Sequence, residues 1–295
     1  MSSGNLTADR RYAYAQTLRA EGDAAGAADV IAQALELAPA WAEGRFALAE
    51  TLAEAGKTIE AAGAYRDYLA ADPSDSMGAG ARLSLLGAAP TPAQLPSAYV
   101  SRLFDEYAPR FDAALTERLN YRGPEVLKDA VTRVWPGMFS RVFDLGCGTG
   151  LSGVAFRDAA EWLGGVDLSP AMVKRAQARK IYDYLESGDM SAALLALDEP
   201  CELIIAADVL VYVGDLAQLF STVRKKLVLG GVFAFTTQRA EDGDYVLGRE
   251  QRYSHSRAYI RRLADACDFE VARLEDAVTR QEAGKDVPGL VAVLV

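Results

Sequence analysis

Val142-Phe143-Asp144-Leu145-Gly146-Cys147-Gly148-Thr149-Gly150 runs from a short apolar stretch into a turn holding three glycines. The apolar part predicts a buried strand, and Leu151 to Ala159 predicts the helix that follows it. Glycines between strand and helix let the backbone approach a ligand closely. They also aim N–H groups and the positive end of the helix dipole at electron-rich atoms. Trp162 to Leu168 predicts the next strand, and Asp167 stands at its end, 21 residues after Gly146. An acid at that place can accept hydrogen bonds from both hydroxyls of a ribose. Turn and acid together point to a nucleoside-containing cofactor.

The same alternation continues downstream. Helices are expected at Pro170 to Lys180, Ser191 to Leu197, Leu216 to Leu227 and Ser254 to Cys267. Strands are expected at Asp183 to Glu186, Glu202 to Ala207 and Val232 to Thr237. Strands alternating with helices imply a parallel sheet covered on both faces. The chain closes on two strands near Glu270 to Val278 and Gly289 to Val295. The interval between them is too short for a crossover helix, so they should form an antiparallel hairpin.

Gly148, Gly150 and Gly153 also satisfy the G-x-G-x-x-G spacing of dinucleotide-binding sheets. Two features weigh against that reading. Asp167 follows Gly153 by only 14 residues, earlier than the ~20 of that fingerprint. The terminal hairpin is the second. With it, Val142 to Gly150 resembles motif I of the class I S-adenosylmethionine-dependent methyltransferases. Gly165-Val166-Asp167-Leu168-Ser169-Pro170-Ala171-Met172 resembles the segment that follows motif I in that family. Gly188-Asp189-Met190 and Ala207-Asp208-Val209-Leu210 fall where the family contacts adenine and lines the methyl-transfer site. Leu103 to Asp112 is similar to the helical lead-in of many small-molecule members.

The resemblance implies a doubly wound, seven-stranded Rossmann-like α/β sheet ending in an antiparallel hairpin, over residues 97–295. It implies S-adenosyl-L-methionine as cofactor, with Asp144, Gly146, Cys147, Gly148 and Gly150 around the methionine part. Asp167 would hold the ribose, Leu168 would pack on the adenine with Met172 nearby, and Asp189, beside Met190, would accept from the adenine amino group. Tyr107 and Phe111 would close over the cofactor, and Asp208 would face the transferred group. Each has a plainer counterpart: Asp144 as a strand-end acid, Leu168 as core, Asp189 as a turn former, Tyr107 and Phe111 as an apolar helix stripe.

Composition narrows the chemistry. The 295 residues carry 31 Lys plus Arg against 41 Asp plus Glu, a net charge of −10, which disfavours nucleic acid as a partner. Three cysteines (Cys147, Cys201, Cys267) and one histidine offer no zinc site, so no metal is expected. Scattered cysteines, no apolar leader and no bilayer-length apolar run lead to the expectation of a cytoplasmic protein away from membranes. Asp208-Val209-Leu210-Val211 lacks the Asn/Asp-Pro-Pro-Tyr sequence of amide and adenine N-methyltransferases. It also has Val211, followed by Tyr212, where many small-molecule relatives place a histidine. The basic window Arg249 to Arg262 then draws attention. Arg252 and Arg257 are candidate binders of an anionic substrate together with Tyr212, since a guanidinium fork suits carboxylates. His255 is the candidate catalytic base or orienting donor. Arg257 and Arg261 as a solvated helix face, with His255 helping to start the helix, is the alternative.

Ahead of this lies a repeat. At an offset of 34, Pro39 aligns with Pro73, Ala15 with Ala49, Leu18 with Leu52, Gly22 with Gly56, Ala27 with Ala61 and Ile31 with Tyr65. The period resembles the tetratricopeptide repeat, over Thr7 to Ala38 and Trp41 to Asp72, with Ser74 to Leu86 as a further helix. An all-α domain over residues 1–89 is therefore expected, joined through the Pro-rich stretch Gly87 to Ser97. Such a stack can dock a peptide, cover the second domain or make a homodimer. The functional expectation is methyl transfer to a small anionic or hydroxylated acceptor, with O-methylation favoured. A protein acceptor recruited through the repeats and a non-catalytic cofactor-binding scaffold are the alternatives.

Overall fold

A computed structural model describes residues 2–111, 120–282 and 284–295. Asp112, the last residue of the lead-in motif, lies outside them, as does Met1. The chain falls into two compact units, Met1–Pro92 and Ala93–Val295.

The first unit is all-helical: α1 (Leu6–Ala20), α2 (Ala24–Leu37), α3 (Ala42–Glu54), α4 (Thr58–Ala71) and α5 (Ala79–Leu85). Each helix packs on the next in sequence. Asn5 caps α1 by accepting from the N–H groups of Thr7 and Ala8, and Asp23 caps α2 through Gly26. Ala15, Ala49, Ala27, Ala61 and Ile31 are fully buried and Tyr65 almost so. Gly22 and Gly56 hold φ of +90° and +75° at equivalent turns, a conformation glycine adopts without the Cβ penalty of other residues.

The second unit is built on nine strands among the described residues. They are β1 (Phe139–Leu145), β2 (Ala160–Asp167), β3 (Tyr184–Ser187), β4 (Cys201–Ala206), β5 (Leu227–Arg239), β6 (Tyr245–Leu247), β7 (Tyr253–His255), β8 (Val271–Glu282) and β9 (Lys285–Leu294). The order is β3-β2-β1-β4-β5-β7-β6, with β9 on the other side of β5 and β8 outside β9. From β3 through β5 every pairing is parallel, whereas β9 is antiparallel to both β5 and β8. Strand residues alternate between two cores, as a sheet covered on both faces requires. Phe143, Leu145, Ile204, Phe233 and Phe235 face one, with Phe220 of α11 (Ala217–Lys226). Val142, Leu163, Leu203, Ile205, Val232 and Val293 face the other, with Leu127 of α7 (Gly123–Val134) and Phe156 of α8 (Leu151–Phe156).

The strand number departs from the seven expected. β6 and β7 form an extra hairpin on Gln238 and Arg239, where β5 runs on past the end of β4. The helix expected from Ser254 therefore starts later, as α12 (Arg257–Ala266), with Ser256 as its cap. The closing hairpin is also longer than its apolar pattern suggested, reaching the pair Glu282–Lys285. Its charged residues look like a loop but are matched in ion pairs, Arg239–Asp276 at 2.7 Å among them.

The remaining helices are α6 (Ser97–Tyr107), α9 (Pro170–Arg179) and α10 (Met190–Ala196). Ahead of α6, Leu95 N donates to Tyr212 O at 3.0 Å, and Gly214 N donates to Ala93 O at 2.8 Å. The tail of the Pro-rich stretch is thus pinned to the loop after β4. No helix among the described residues is long and apolar enough to cross a membrane.

Phe220 meets Phe233, Phe235 and Phe269 edge-on. Phe220→Ala should lower unfolding free energy by about 3–5 kcal/mol, read from urea denaturation followed by circular dichroism.

Candidate active site

The carboxyl ends of the parallel strands are where an open α/β sheet leaves a crevice. Here the crevice is a cavity of about 320 Å³. Its floor is the glycine turn after β1. Gly146 has φ +66°, and a Cβ there would come within 2.3 Å of the Val209 side chain. The turn is fixed to the next strand by Cys147 N donating to Val166 O and Gly148 N to Asp167 Oδ2, both at 2.9 Å.

Asp167 takes a second bond on its other oxygen, from Ser169 N at 2.9 Å. A carboxylate has about four acceptor positions, so two remain for hydroxyls of a ligand in the cavity. Burial pushes the Asp167 carboxyl up from its ordinary value, and the N–H groups of Ser169 and Gly148 pull against that. Asp144 is fully buried at the end of β1. Its Oδ2 accepts from Tyr182 Oη at 2.7 Å, and Oδ1 has no partner among the described residues. Burial pushes Asp144 up to about 7.

Asp189 caps α10 through Ser191 N at 3.0 Å and Ala192 N at 2.9 Å. Helix α6 forms the wall opposite. Asp105 Oδ1 accepts from Ser169 Oγ at 2.6 Å and Ala171 N at 3.2 Å, and Ser101 Oγ donates to Leu168 O at 3.1 Å. That docking brings an aromatic chain over the cavity, with Tyr107–Phe111, Phe104–Phe111 and Phe104–Tyr212 centroids 5.5, 5.9 and 5.4 Å apart.

The far end is polar. Asp208, just past β4, holds φ +57° and donates its N–H to Thr236 Oγ1 at 2.9 Å. Its Oδ2 accepts from Arg280 Nη1 at 2.7 Å, and the Arg280 side chain is only 1% exposed. Arg252 Nη1 donates to Glu282 Oε1 at 3.0 Å. Desolvation opposes the Arg252 charge, but Tyr212, Asp208 and Glu282 outweigh it and hold its pKa above the ordinary value.

The cavity is lined by the predicted Tyr107, Phe111, Gly146, Cys147, Gly148, Asp167, Leu168, Asp189, Met190, Asp208, Tyr212 and Arg252. Asp144, Gly150 and Met172 are not among its lining residues. Met172 is wholly buried in α9, and Gly150 abuts Arg179 and Tyr182. Arg257 and His255 lie elsewhere, which corrects the roles expected for them. Arg257 donates to Leu274 O at 2.5 Å and pairs with Asp276 at 2.9 Å. His255 is fully buried on β7, with Nδ1 2.7 Å from Thr237 Oγ1 and Nε2 2.9 and 3.1 Å from Val213 O and Gly214 O. Carbonyls only accept, so Nε2 carries the proton and Nδ1 takes the hydroxyl of Thr237. Both nitrogens are occupied, and the ring supplies no base to the cavity. Reasoning from sequence missed Arg280 and Tyr121, which do line it, and Tyr182 behind it. The one signal for Arg280 was a cation beside the apolar hairpin.

Residues 142–231 match the family model described as a methyltransferase domain. No curated protein matches the chain. Among solved structures, the complex of the Haloferax volcanii Trm112 methyltransferase activator with its methyltransferase partner is similar at 20% identity and TM-score 0.52. That likeness covers 65% of this chain and 96% of the other. The glycopeptide N-methyltransferase MtfA complexed with S-adenosylmethionine shares 18% identity (TM-score 0.46; 59% and 94% covered). The DhpI–SAH complex also shares 18% (TM-score 0.49; 68% and 96% covered). The first of these likenesses bears on the fold alone.

Two expectations follow from the geometry. Asp167→Asn should weaken S-adenosylhomocysteine binding at least tenfold by titration calorimetry, since hydrogen bonds to a charged acceptor contribute about 1.5–3 kcal/mol. His255 is lowered by burial to about 4 from 6.5, so between those values the unfolded chain binds the extra proton. Stability should therefore fall as pH drops from about 6.5 to about 4, by on the order of 3 kcal/mol from this group. Urea midpoints of His255→Gln should show a correspondingly flatter acid limb.

Fit of the site to the cofactor rests on the acceptor positions of Asp167 and on the glycine turn at Gly146 to Gly148, which line the cavity. Residues 142–231 thus form a methyltransferase domain on a Rossmann-like sheet, and its cavity fits S-adenosyl-L-methionine as cofactor.

Proposed function

We propose that the chain methylates a small acceptor carrying an anionic or hydroxyl group, by O-methylation. The observation that carries this reading is the pair of arginines, Arg252 and Arg280, on the wall of an otherwise largely apolar cavity. A guanidinium binds a carboxylate in a planar fork, and the aromatic wall from Phe104 to Tyr212 suits the apolar body of such a molecule. The bound cofactor brings an already activated methyl group on its sulfonium. The task left to the protein is to hold the acceptor in line, an orientation effect worth up to ~7–11 kcal/mol. A carboxylate arrives ionised and needs no base, which agrees with a cavity that His255 does not reach.

Asp167, with Asp189, Leu168 and Met190, serves in this reading as the nucleoside end. Asp144 and the turn at Gly146 to Gly150 form the amino-acid end, and Tyr107 with Phe111 close the cavity. Asp208, Tyr121 and Tyr212 face the acceptor. The helical unit is read as two tetratricopeptide-like units plus a further helix, supported by matched buried positions at an offset of 34 residues. That regularity favours, as a second reading, a protein acceptor recruited through the repeats. Unpaired thiols at Cys147, Cys201 and Cys267 suit a reducing cytoplasm.

A screen of small carboxylates and phenols with methyl-labelled cofactor should find transfer to a carboxylate. With that acceptor, Arg252→Gln should raise KM about tenfold or more and leave KM for the cofactor within about twofold. Transfer only to protein, and only with residues 1–92 present, would establish the second reading instead.

A further inference from the structure

Glu282 ends β8 beside the polar end of the cavity, its side chain 47% exposed. One of its oxygens, Oε1, lies 3.0 Å from Arg252 Nη1, 3.2 Å from Arg280 Nε and 3.1 Å from Arg280 Nη2. A single carboxylate oxygen thus stands where the two cavity guanidiniums meet. The fit is incomplete, because Arg280 Nη2 is buried and has no aligned hydrogen bond among the described residues despite that distance. A carboxylate free to rotate and translate could use that nitrogen, whereas one tethered to the backbone two residues away does not.

The charges in this corner balance. Arg252 and Arg280 face Asp208 and Glu282, so an incoming anion has no uncompensated cation to meet. It can be held only by taking the place of one acid, since an extra buried charge is strongly unfavourable. The two acids differ in how firmly they are fixed. Asp208 is 17% exposed, bonded to Arg280 Nη1, and set by a left-handed backbone whose N–H is tied to Thr236. Glu282 has a longer side chain, borders solvent and stands at the end of its strand, near the turn at Gly284 with φ +74°.

We infer that Glu282 is an internal stand-in for the acceptor's carboxylate, occupying an anion subsite formed by Arg252 and Arg280 until the acceptor displaces it into water. The inference rests on the reading of this cavity as the acceptor site, and it names a carboxylate as the recognised group. Displacement exchanges one carboxylate for another, so the corner stays neutral throughout. Neutral analogues cannot make the exchange, because they would leave one of the two guanidinium charges unmatched. Glu282 therefore sets both the affinity and the selectivity of the site.

The test is calorimetric titration of the S-adenosylhomocysteine-saturated full chain with benzoate and with benzamide, as wild type, Glu282→Gln and Glu282→Ala. Benzoate should bind the wild type more tightly than benzamide does. Both variants should bind benzoate about tenfold more tightly than wild type, with benzamide changed less than twofold. Adding Arg252→Gln to Glu282→Gln should remove that gain. Unchanged or weaker benzoate binding in both variants would overturn the inference. So would no benzoate binding to any form, or a wild type that takes benzamide as well as benzoate, which would make Glu282 a permanent neutraliser of a site for uncharged acceptors. Failure of S-adenosylhomocysteine to saturate the protein would overturn the cofactor reading itself, and the same titration separates the two.

Discussion

The carboxylate of Asp167 is the tie on which the site depends. Its two oxygens accept N–H groups from two different turns, Gly148 after β1 and Ser169 after β2. A backbone N–H buried without a partner is costly, and these two lie in turns that no strand ladder reaches. The acid therefore fixes the distance between the glycine turn and the start of α9. It keeps its remaining acceptor positions for the cavity. Ser169 then passes the constraint on: its hydroxyl bonds Asp105, and α6 is held over the cavity by that contact. One side chain thus links floor, rear and lid.

The opposite end obeys a different constraint. Arg280 is almost wholly buried, and a buried guanidinium persists only when its charge is met. Asp208 meets it directly, in a backbone conformation that most residues avoid. That strain sits where the cavity wall turns after β4, a usual place for it in functional sites. His255 resolves its burial the other way. It gives up its charge, with Nε2 on two carbonyls and Nδ1 on a hydroxyl, and so becomes a fastener between β7 and the loop after β4.

Much of the glycine-turn end of the cavity was legible in the sequence because it is built from local signals. A strand, a glycine turn, a helix and a strand-end acid follow one another within Val142 to Asp167, and each has a short-range physical reason. The polar end of the cavity was legible only in part. Tyr212 and Arg252 do line the cavity, but the basic window around Arg252 splits in space. Arg257 turns to the backbone of β8 and to Asp276. Arg280, 28 residues after Arg252, arrives in the corner because β8 is an edge strand brought alongside through β9. Nothing local to Val278-Thr279-Arg280 announces that.

The sequence by itself determined the alternation of elements, the parallel sheet with its antiparallel end, the glycine turn and the acid that serves it. These follow from periodicity and backbone geometry, which act over a few residues. Only the tertiary structure decided which charges meet. The pairing of Arg280 with Asp208 spans 72 residues and that of Arg252 with Glu282 spans 30. The extra hairpin that buries His255 depends on β5 running beyond β4. Electrostatic complementarity and burial are properties of the assembled corner, so the charge pairing at the polar end of the cavity became visible only once the sheet had closed around it.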